Sequence, residues 1–532
     1  MKLLPANPFA APRWRPLGVI LASSLVWAFC YPPFPLGPLA FVALVPLFLA
    51  TAGLDGRRAF WYNFAGGLGY NTVMYWWIYN VVKVGPALVI ALGLVVLILF
   101  LSVFNGLLGW LFRFLAGRRY GLAAFPFLWA GLEVGRTKGD MSFPWNDMGY
   151  ALGHWPSLIQ ASSFLGIFGL SLAVVACNCL AYAACTRSGK TRLVLTGAAA
   201  AIPLLLAVQG NLSLAEPEPA GAPTLDISLV QPSIPQTKKW DEHYFQDVME
   251  KTWTTMEGGK GLAPPTLEGS ALVVLPETAI PDFLRSRGEV YDHLQRLARD
   301  NRSDILVGAL DFIPDEKPYR AYRFFNSAFL FTSDGRDSVK QYSKLRLVPF
   351  SERLPFDDVF PIINYVNLGE GDFSPGEDIE IWSKNGVAYA PSICYEIIYP
   401  DFVRGAKRRG ASLLVNITND GWFGRSNAPY QHANITRFRA IETGMPIARC
   451  SNSGISVFYD YKGRVLGRTG LFEQTVLRRK LPLTSRDTWY FRHGDAVEKL
   501  LGWGFALGLA VCVGVAWRGR RDGKTESRIT AP

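Results

Sequence analysis

Residues 84 to 112, VGPALVIALGLVVLILFLSVFNGLLGWLF, contain no charged side chain. In lipid every backbone N–H and C=O must find its partner within the segment, and about 20 apolar residues wound as a helix match the ~30 Å of hydrocarbon in a bilayer. This run therefore commits the chain to a membrane. Other charge-poor runs lie at 16–54, 59–82, 120–132, 148–186, 193–215 and 500–517, in a chain of 532 residues of which 50% are hydrophobic, with 16 Trp and 34 Phe. The first run holds two helices, because YPPFPLGP at 31–38 removes helix donors and forces a turn. The pattern predicts eight spans, at about 17–31, 37–53, 60–80, 86–112, 119–135, 164–185, 193–210 and 498–517. The first is not a cleaved signal, since Arg13 and Arg15 lead into further spans rather than a cleavage site.

Lys and Arg set the orientation. Lys2, Arg13 and Arg15 precede the first span; Arg57 and Arg58 follow the second; Arg113, Arg118 and Arg119 the fourth; Arg187, Lys190 and Arg192 the sixth; Arg518, Arg520 and Arg521 the eighth. In an eight-span layout all these clusters fall on one side, and the positive-inside rule makes that side cytoplasmic, with both termini there. The net charge of +11 is then largely topogenic and asks for no nucleic-acid partner, only for anionic lipid. The expected organisation is a seven-span domain over 1–211, an outer domain over 212–490, a last span at 498–517 and a cytoplasmic tail over 518–532.

The outer segment begins with the proline-rich AEPEPAGAP. Short apolar runs at 225–231, 271–277, 304–310, 326–331, 387–394, 412–418 and 455–460 read as strands, with charged helical stretches such as 287–300 and 429–443 between them. Nearly continuous apolar strands alternating with helices predict an α/β fold with a covered sheet. Of seven cysteines only Cys394 and Cys450 fall in this segment, and in an oxidising compartment such a pair also reads as a disulfide. The five His have no ligand spacing, so no metal and no cofactor is expected.

Three strand ends carry reactive groups: Glu277 in VVLPETAIPD, Lys344 and Glu352 in QYSKLRLVPFSE, and Cys394 with Glu396 in PSICYEIIYPD. A carboxylate ending an apolar strand suits a general base, and a cysteine becomes a nucleophile beside a base or a cation. A lysine there would hold an oxyanion, with the Tyr395 N–H as second donor. Taken singly, each has a plainer reading: Glu277 as a helix N-terminal carboxylate, Lys344 as a solvated lysine, Glu352 as a partner of Arg353, Cys394 as a small core residue.

Together they match a known order. LPETAIPD, YSKLRLVPFSE, CYEIIYPD and NITNDGWFG, within 225 to about 480, resemble the nitrilase (carbon–nitrogen hydrolase) superfamily, which implies an αββα sandwich with Glu277 as base, Lys344 as oxyanion-stabilising lysine and Cys394 as nucleophile. With the spans on either side, the whole layout resembles the apolipoprotein N-acyltransferase family. That resemblance gives Glu352 a second acidic role near the triad and makes Tyr395, Glu396 and Trp240 supporting residues. Two departures stand out: Arg346 where many relatives have His, and Ser351 where VPFGE is common.

The resemblance implies transfer of an acyl chain from a phospholipid, through a Cys394 thioester, to the α-amino group of an N-terminal diacylglyceryl-cysteine. It also implies a bacterial inner-membrane protein, acting as a monomer with its catalytic domain on the periplasmic side. Trp422 and Phe423, on a loop after a strand, are expected at a lipid contact or a lid; MYWWIYN at 74–80 reads as an interfacial anchor. Two rivals remain at this point. One is a tethered amidase or nitrilase using water; the other is a transporter with an inert outer domain, for which Glu133 near a span end is the suggestive charge.

Overall fold

The computed structural model describes residues 15–83, 87–219, 221–258, 269–315, 322–334, 339–356, 359 and 373–529. Lys2 and Arg13 of the first basic cluster and residues 530–532 of the tail lie outside them.

The membrane half comprises α1 (Arg15–Ala28), α2 (Val45–Ala52), α3 (Gly56–Tyr75), α4 (Ala87–Ala116), α5 (Gly121–Gly135), the short α6 (Pro156–Ile159), α7 (Ser162–Cys185) and α8 (Gly189–Ala215). Among the described residues four helices are long and apolar enough to cross a bilayer: α4, α7, α8 and the membrane part of the C-terminal helix. α1 and α5 are shorter apolar helices, and α2 with the 3₁₀ turn before it makes a third short apolar stretch, Gly37–Ala52. α3 owes its lower apolarity to polar residues that face inward. Asn63 donates to Thr51 Oγ1 at 3.0 Å and Asn71 to Ser102 Oγ at 3.1 Å, so their polarity is met inside the bundle. A side chain at Gly109 would overlap Asn63, so that glycine is what lets α4 lie close against α3.

Glu133, near the end of α5, accepts from Trp129 Nε1 at 2.9 Å and from the Met148 backbone N–H at 2.8 Å. It pins the loop that returns from α5 to α6, which gives this carboxylate a structural task and removes the observation that favoured a transporter.

The outer half is a sandwich of two sheets. The first has the order β13-β1-β2-β4-β5-β6, with β3 also pairing β4, from β1 (Thr224–Gln231), β2 (Leu272–Val274), β3 (Ile280–Phe283), β4 (Asp304–Pro314), β5 (Tyr322–Phe331), β6 (Lys340–Ser343) and β13 (Thr475–Pro482). The second runs β12-β11-β10-β9-β8-β7, from β7 (Trp382–Lys384), β8 (Val387–Ile393), β9 (Leu413–Thr418), β10 (Ile447–Ser451), β11 (Val457–Tyr459) and β12 (Val465–Arg468). β1, β2 and β4 are parallel, as are β8, β9 and β10. β1 faces β10 and β5 faces β8 across the sandwich. α10 (Phe245–Glu257) and α11 (Gly288–Asp300) cover the first sheet; α13 (Ala428–Thr443) covers the second, with α12 (Pro400–Arg408) against α13; the short α9 (Gln236–Lys239) leads into α10. This is the expected αββα layering, and parallel strands buried on both faces account for the unbroken apolar runs.

Two boundaries differ from the expectation. The strand read at 271–277 stops at Val274, because Pro276 has no N–H to continue the ladder. The last helix, α14, runs from Trp489 to Ile529 rather than from 498 to 517, starting with an aromatic and charged turn that apolarity does not register.

One buried apolar cluster runs through both halves, joining residues such as Trp77 and Trp145 to Tyr395 and Ile397. The loop 76–83 and the loop 136–161 of the membrane half press directly on the sandwich, so the site between them is walled from both sides.

Candidate active site

The three reactive side chains sit where three strands end. Glu277 follows β2, Lys344 follows β6 and Cys394 follows β8, and the first two come together with Glu352 in one buried ion-pair network. Lys344 Nζ donates to Glu352 Oε1 at 2.7 Å and to Glu277 Oε1 at 3.4 Å. Asn326 of β5 donates through Nδ2 to the same two oxygens, at 2.8 Å to Glu277 and 3.3 Å to Glu352. The second Glu352 oxygen accepts from the Val348 N–H at 2.9 Å. Glu352 thus belongs to the site.

Burial alone would lower the Lys344 ammonium's pKa, but the charges of Glu352 and Glu277 outweigh it and hold the value above that of ordinary lysine. Lys344 is a fixed cation between two carboxylates. Cys394 lies within reach of the same field. Desolvation and the Glu277 charge push its thiol well up, against a smaller downward pull from Lys344. Both upward influences favour the neutral thiol over the thiolate at Cys394.

Backbone geometry at these turns is unusual. Cys394 has φ +49° and Thr278, next to Glu277, has φ +46°. A non-glycine residue in the left-handed region costs about 1–3 kcal/mol and persists only where its surroundings fix it. Around Glu277 the fixing is by close approach. A Cβ at Gly308 of β4 would lie 2.7 Å from Glu277 Cα and 2.6 Å from the Pro276 oxygen and the Thr278 nitrogen. Lys239 Nζ, buried at the end of α9, donates to the Glu277 carbonyl at 3.1 Å; desolvation lowers its own pKa to about 7.

Glu396 joins the strand ends to each other. Its Oε1 accepts from Tyr342 OH at 2.6 Å, Leu345 N–H at 2.6 Å and Arg346 N–H at 3.3 Å, and its Oε2 from Ile393 N–H at 2.7 Å. The segments carrying Lys344 and Cys394 are thereby tied through one buried carboxylate. Burial pushes that carboxyl up to about 7 despite its donors.

Tyr395 points the other way. Its hydroxyl donates to the Ser142 carbonyl at 2.8 Å and its ring stacks on Phe143, so it clamps the 136–147 loop onto the site. Phe423 is wedged between Trp77 at 4.5 Å and Trp145 at 6.2 Å, and its carbonyl accepts from Asn80 at 2.8 Å. MYWWIYN is therefore divided: Tyr75 and Trp77 are buried toward the sandwich, while Trp76 and Tyr79 are exposed. Trp422 stacks on Trp240, 6.4 Å between centroids, and Trp240 is 40% exposed.

Sequence reasoning passed over four residues: Asn326, Gly308, Lys239 and His432. Asn326 and Gly308 lie inside strands that read as apolar, and only pairing across β4 and β5 brings them to Glu277. Lys239 hides beside the more visible Trp240. His432 lies one turn into α13, 38 residues after Cys394, with no motif spacing to mark it. Cys394 and Cys450 are both free thiols; Cys450 Sγ faces the carbonyls of Val230 and Val274 between the sheets.

The family model for the apolipoprotein N-acyltransferase N-terminal domain matches residues 23–180, and that for carbon–nitrogen hydrolase matches residues 226–491. The chain is 34% identical over 521 residues to the apolipoprotein N-acyltransferase of Geobacter metallireducens, covering 96% of each chain. It is 30% identical over 535 residues to that of Chlorobaculum tepidum, covering 94% of this chain and 95% of the relative. The amidase from Nesterenkonia sp. AN1 superposes on 51% of this chain and 94% of its own, with 20% identity and a TM-score of 0.35.

Proposed function

The chain belongs to the apolipoprotein N-acyltransferase family, and from that premise we propose that it performs the transfer through a thioester on Cys394. The donor is a phospholipid and the acceptor is the α-amino group of a diacylglyceryl-cysteine at a lipoprotein N-terminus. The observation that carries this reading is the buried Glu277–Lys344–Glu352 network whose charges act on the Cys394 thiol.

Charge conservation explains the arrangement. At rest the network holds two carboxylates and one ammonium, so a thiolate would add a second net negative charge to a buried site. Attack coupled to proton transfer avoids this. As the Cys394 sulfur bonds to the acyl carbon, its proton passes to Glu277 and the negative charge moves to the former carbonyl oxygen. Lys344, released from part of its pairing with Glu277, then faces that oxyanion, and the Tyr395 N–H at the start of a 3₁₀ turn is the second donor. Glu352 keeps Lys344 charged throughout. When the ester C–O bond breaks, Glu277 returns the proton to the departing alkoxide of the lysophospholipid. In the second half the acceptor amine forms the C–N bond, the C–S bond breaks, and the amine's proton returns to the Cys394 sulfur by way of Glu277.

Placement supports substrates that arrive from lipid. The side of the sandwich that bears the site is walled by membrane-half residues 76–83 and 136–147, with Phe423 inserted between Trp77 and Trp145. Contacts as well as charge support this sidedness. Pro32, Asn80, Ser142 and Gln160, in loops between spans, each hydrogen-bond the sandwich. The basic residues Arg58, Arg113 and Arg118 instead bond within the membrane half. This supports a periplasmic catalytic domain and cytoplasmic termini in the bacterial inner membrane.

Purified protein given phospholipid and no acceptor is expected to gain the mass of one acyl chain on Cys394, released by hydroxylamine; adding an N-terminal diacylglyceryl-cysteine peptide discharges it. Cys394→Ser and Cys394→Ala lose both steps. An adduct on another residue, or transfer by the alanine variant, would overturn the mechanism. Discharge by water as fast as by the amine would favour the hydrolase reading instead.

A further inference from the structure

Behind Cys394 lies a second buried polar cluster that the transfer mechanism leaves without a task. His432 on α13, Asp420 after β9 and Arg449 on β10 are each at most 1% exposed. His432 Nδ1 is 2.9 Å from Asp420 Oδ1 and 3.0 Å from Arg449 Nη2. Arg449 also donates to Asp420 Oδ2 at 2.8 Å and to Asn416 Oδ1 at 2.7 Å. The other ring nitrogen, Nε2, is 3.3 Å from the carbonyl oxygen of Cys394.

A carbonyl only accepts, so Nε2 must carry hydrogen and donate to it, whichever of Asp420 and Arg449 engages Nδ1. Burying three such groups is expensive unless they pair with one another, and these do, although Arg449 Nε is left without a hydrogen-bond partner. Burial by itself would raise the Asp420 carboxyl, yet the Arg449 charge brings it down to about 2, so an anion and a guanidinium brace the ring from behind. From the membrane half, Trp145 lies against the imidazole at 5.2 Å between centroids, and Trp145 Nε1 donates to Gln431 at 2.8 Å. The ring is held from both sides.

The planarity of the peptide bond gives this hydrogen bond its consequence. The C=O of Cys394 and the N–H of Tyr395 are opposite ends of one rigid unit. Fixing the oxygen fixes the direction of the N–H, and that N–H is the backbone donor of the oxyanion site. The unit also starts at a residue with φ +49°, where the chain has little intrinsic preference to stay.

We propose that His432 is a positioning residue: by donating Nε2–H to the Cys394 carbonyl it aims the Tyr395 N–H at the oxyanion of the acyl-transfer intermediate. The idea rests on Cys394 as the acylated residue. It assigns His432 no proton transfer and no contact with the substrate. Asp420 and Arg449 in turn position His432.

The test separates nucleophilicity from oxyanion stabilisation. Alkylation of Cys394 by iodoacetamide passes through no oxyanion, whereas acylation by phospholipid does. In His432→Leu, which keeps volume and loses the donor, acylation is expected to fall roughly 10- to 100-fold, near the lower end of losing one oxyanion donor. Its alkylation rate at pH 9 should stay within about threefold of wild type. His432→Gln, whose amide N–H can reach the same carbonyl, should recover a large part of the acylation rate. Acylation and alkylation falling together in both variants would mean general damage and overturn the proposal, as would unchanged acylation in His432→Leu. Wild-type protein that is alkylated at Cys394 but acylated elsewhere would overturn the reading beneath it, a result distinct from either.

Discussion

Glu396 shows how one residue decides whether the site exists. Four donors from two strand ends converge on its carboxylate, yet desolvation leaves it with a pKa of about 7 in place of the usual 4.5. Between those values the folded protein holds a proton that the unfolded chain has already released. Stability from this group is fully present below about 4.5 and is lost as pH rises through about 7. The full difference amounts to about 3 kcal/mol at most. Glu396→Gln cannot titrate and presents an amide N–H to one of the four donors, so it should be less stable than wild type at pH 5, with the gap narrowing by pH 8. Thermal unfolding of both proteins in detergent across that range reads the difference; a gap that widens with pH would refute the assignment. At this scale the sequence was informative about acids and nucleophiles that end apolar strands, because a charge there is costly unless used. It was silent about Asn326 and His432, which reach the site only through pairing across strands and through a helix docked behind Cys394.

Elements explain why the triad assembles without a contiguous motif. Each reactive residue follows a strand, and a strand end is fixed by its neighbours' ladders, so three ends from two packed sheets define a site more firmly than loops would. The strands were legible because both faces are buried and the apolar runs are unbroken; edge strands such as β12 and β13, polar and partly exposed, carry no such signal. Gly308 of β4 is the element-level constraint on Glu277. Its Cβ-free surface admits the Pro276–Thr278 turn at a distance no side chain tolerates, and the neighbours are backbone atoms that cannot swing aside. Gly308→Ala should displace Glu277 by enough to lower the acylation rate roughly 10- to 100-fold, since a misplacement of about 1 Å can cost that much. The variant should still fold, with the loss confined to the rate of acyl-enzyme formation. Wild-type kinetics in a folded Gly308→Ala protein would show that the turn has room to spare.

For the whole molecule, the membrane half is more than an anchor. Its loops at 76–83 and 136–161 supply Trp77, Asn80, Ser142 and Trp145, which hold Phe423, Tyr395 and Gln431 of the sandwich, so the catalytic face is complete only when both halves meet. That geometry constrains topology beyond the charge rule. The loops after Ala28, Tyr75, Gly135 and Ala215 all contact the sandwich, and the proposed topology puts the turns near Arg57, Arg118 and Arg187 on the opposite face. Helix count alone does not deliver this, because among the described residues only four helices pass as spans by length and apolarity, and α1, α2, α3 and α5 are short or polar. Polar side chains such as Asn63, Asn71 and Glu133 make hydrogen bonds inside the bundle, which hydropathy does not register. The proposed eight-span topology accommodates both sets of loops. Reporter fusions after Ser188 and after Pro219 should give cytoplasmic and periplasmic signals respectively, and single cysteines placed at Asp140 and at Arg119 should be labelled by an impermeant thiol reagent from opposite faces of the membrane. Labelling of both from one face would break the eight-span arrangement, which requires a single crossing, α5, between Arg119 and Asp140.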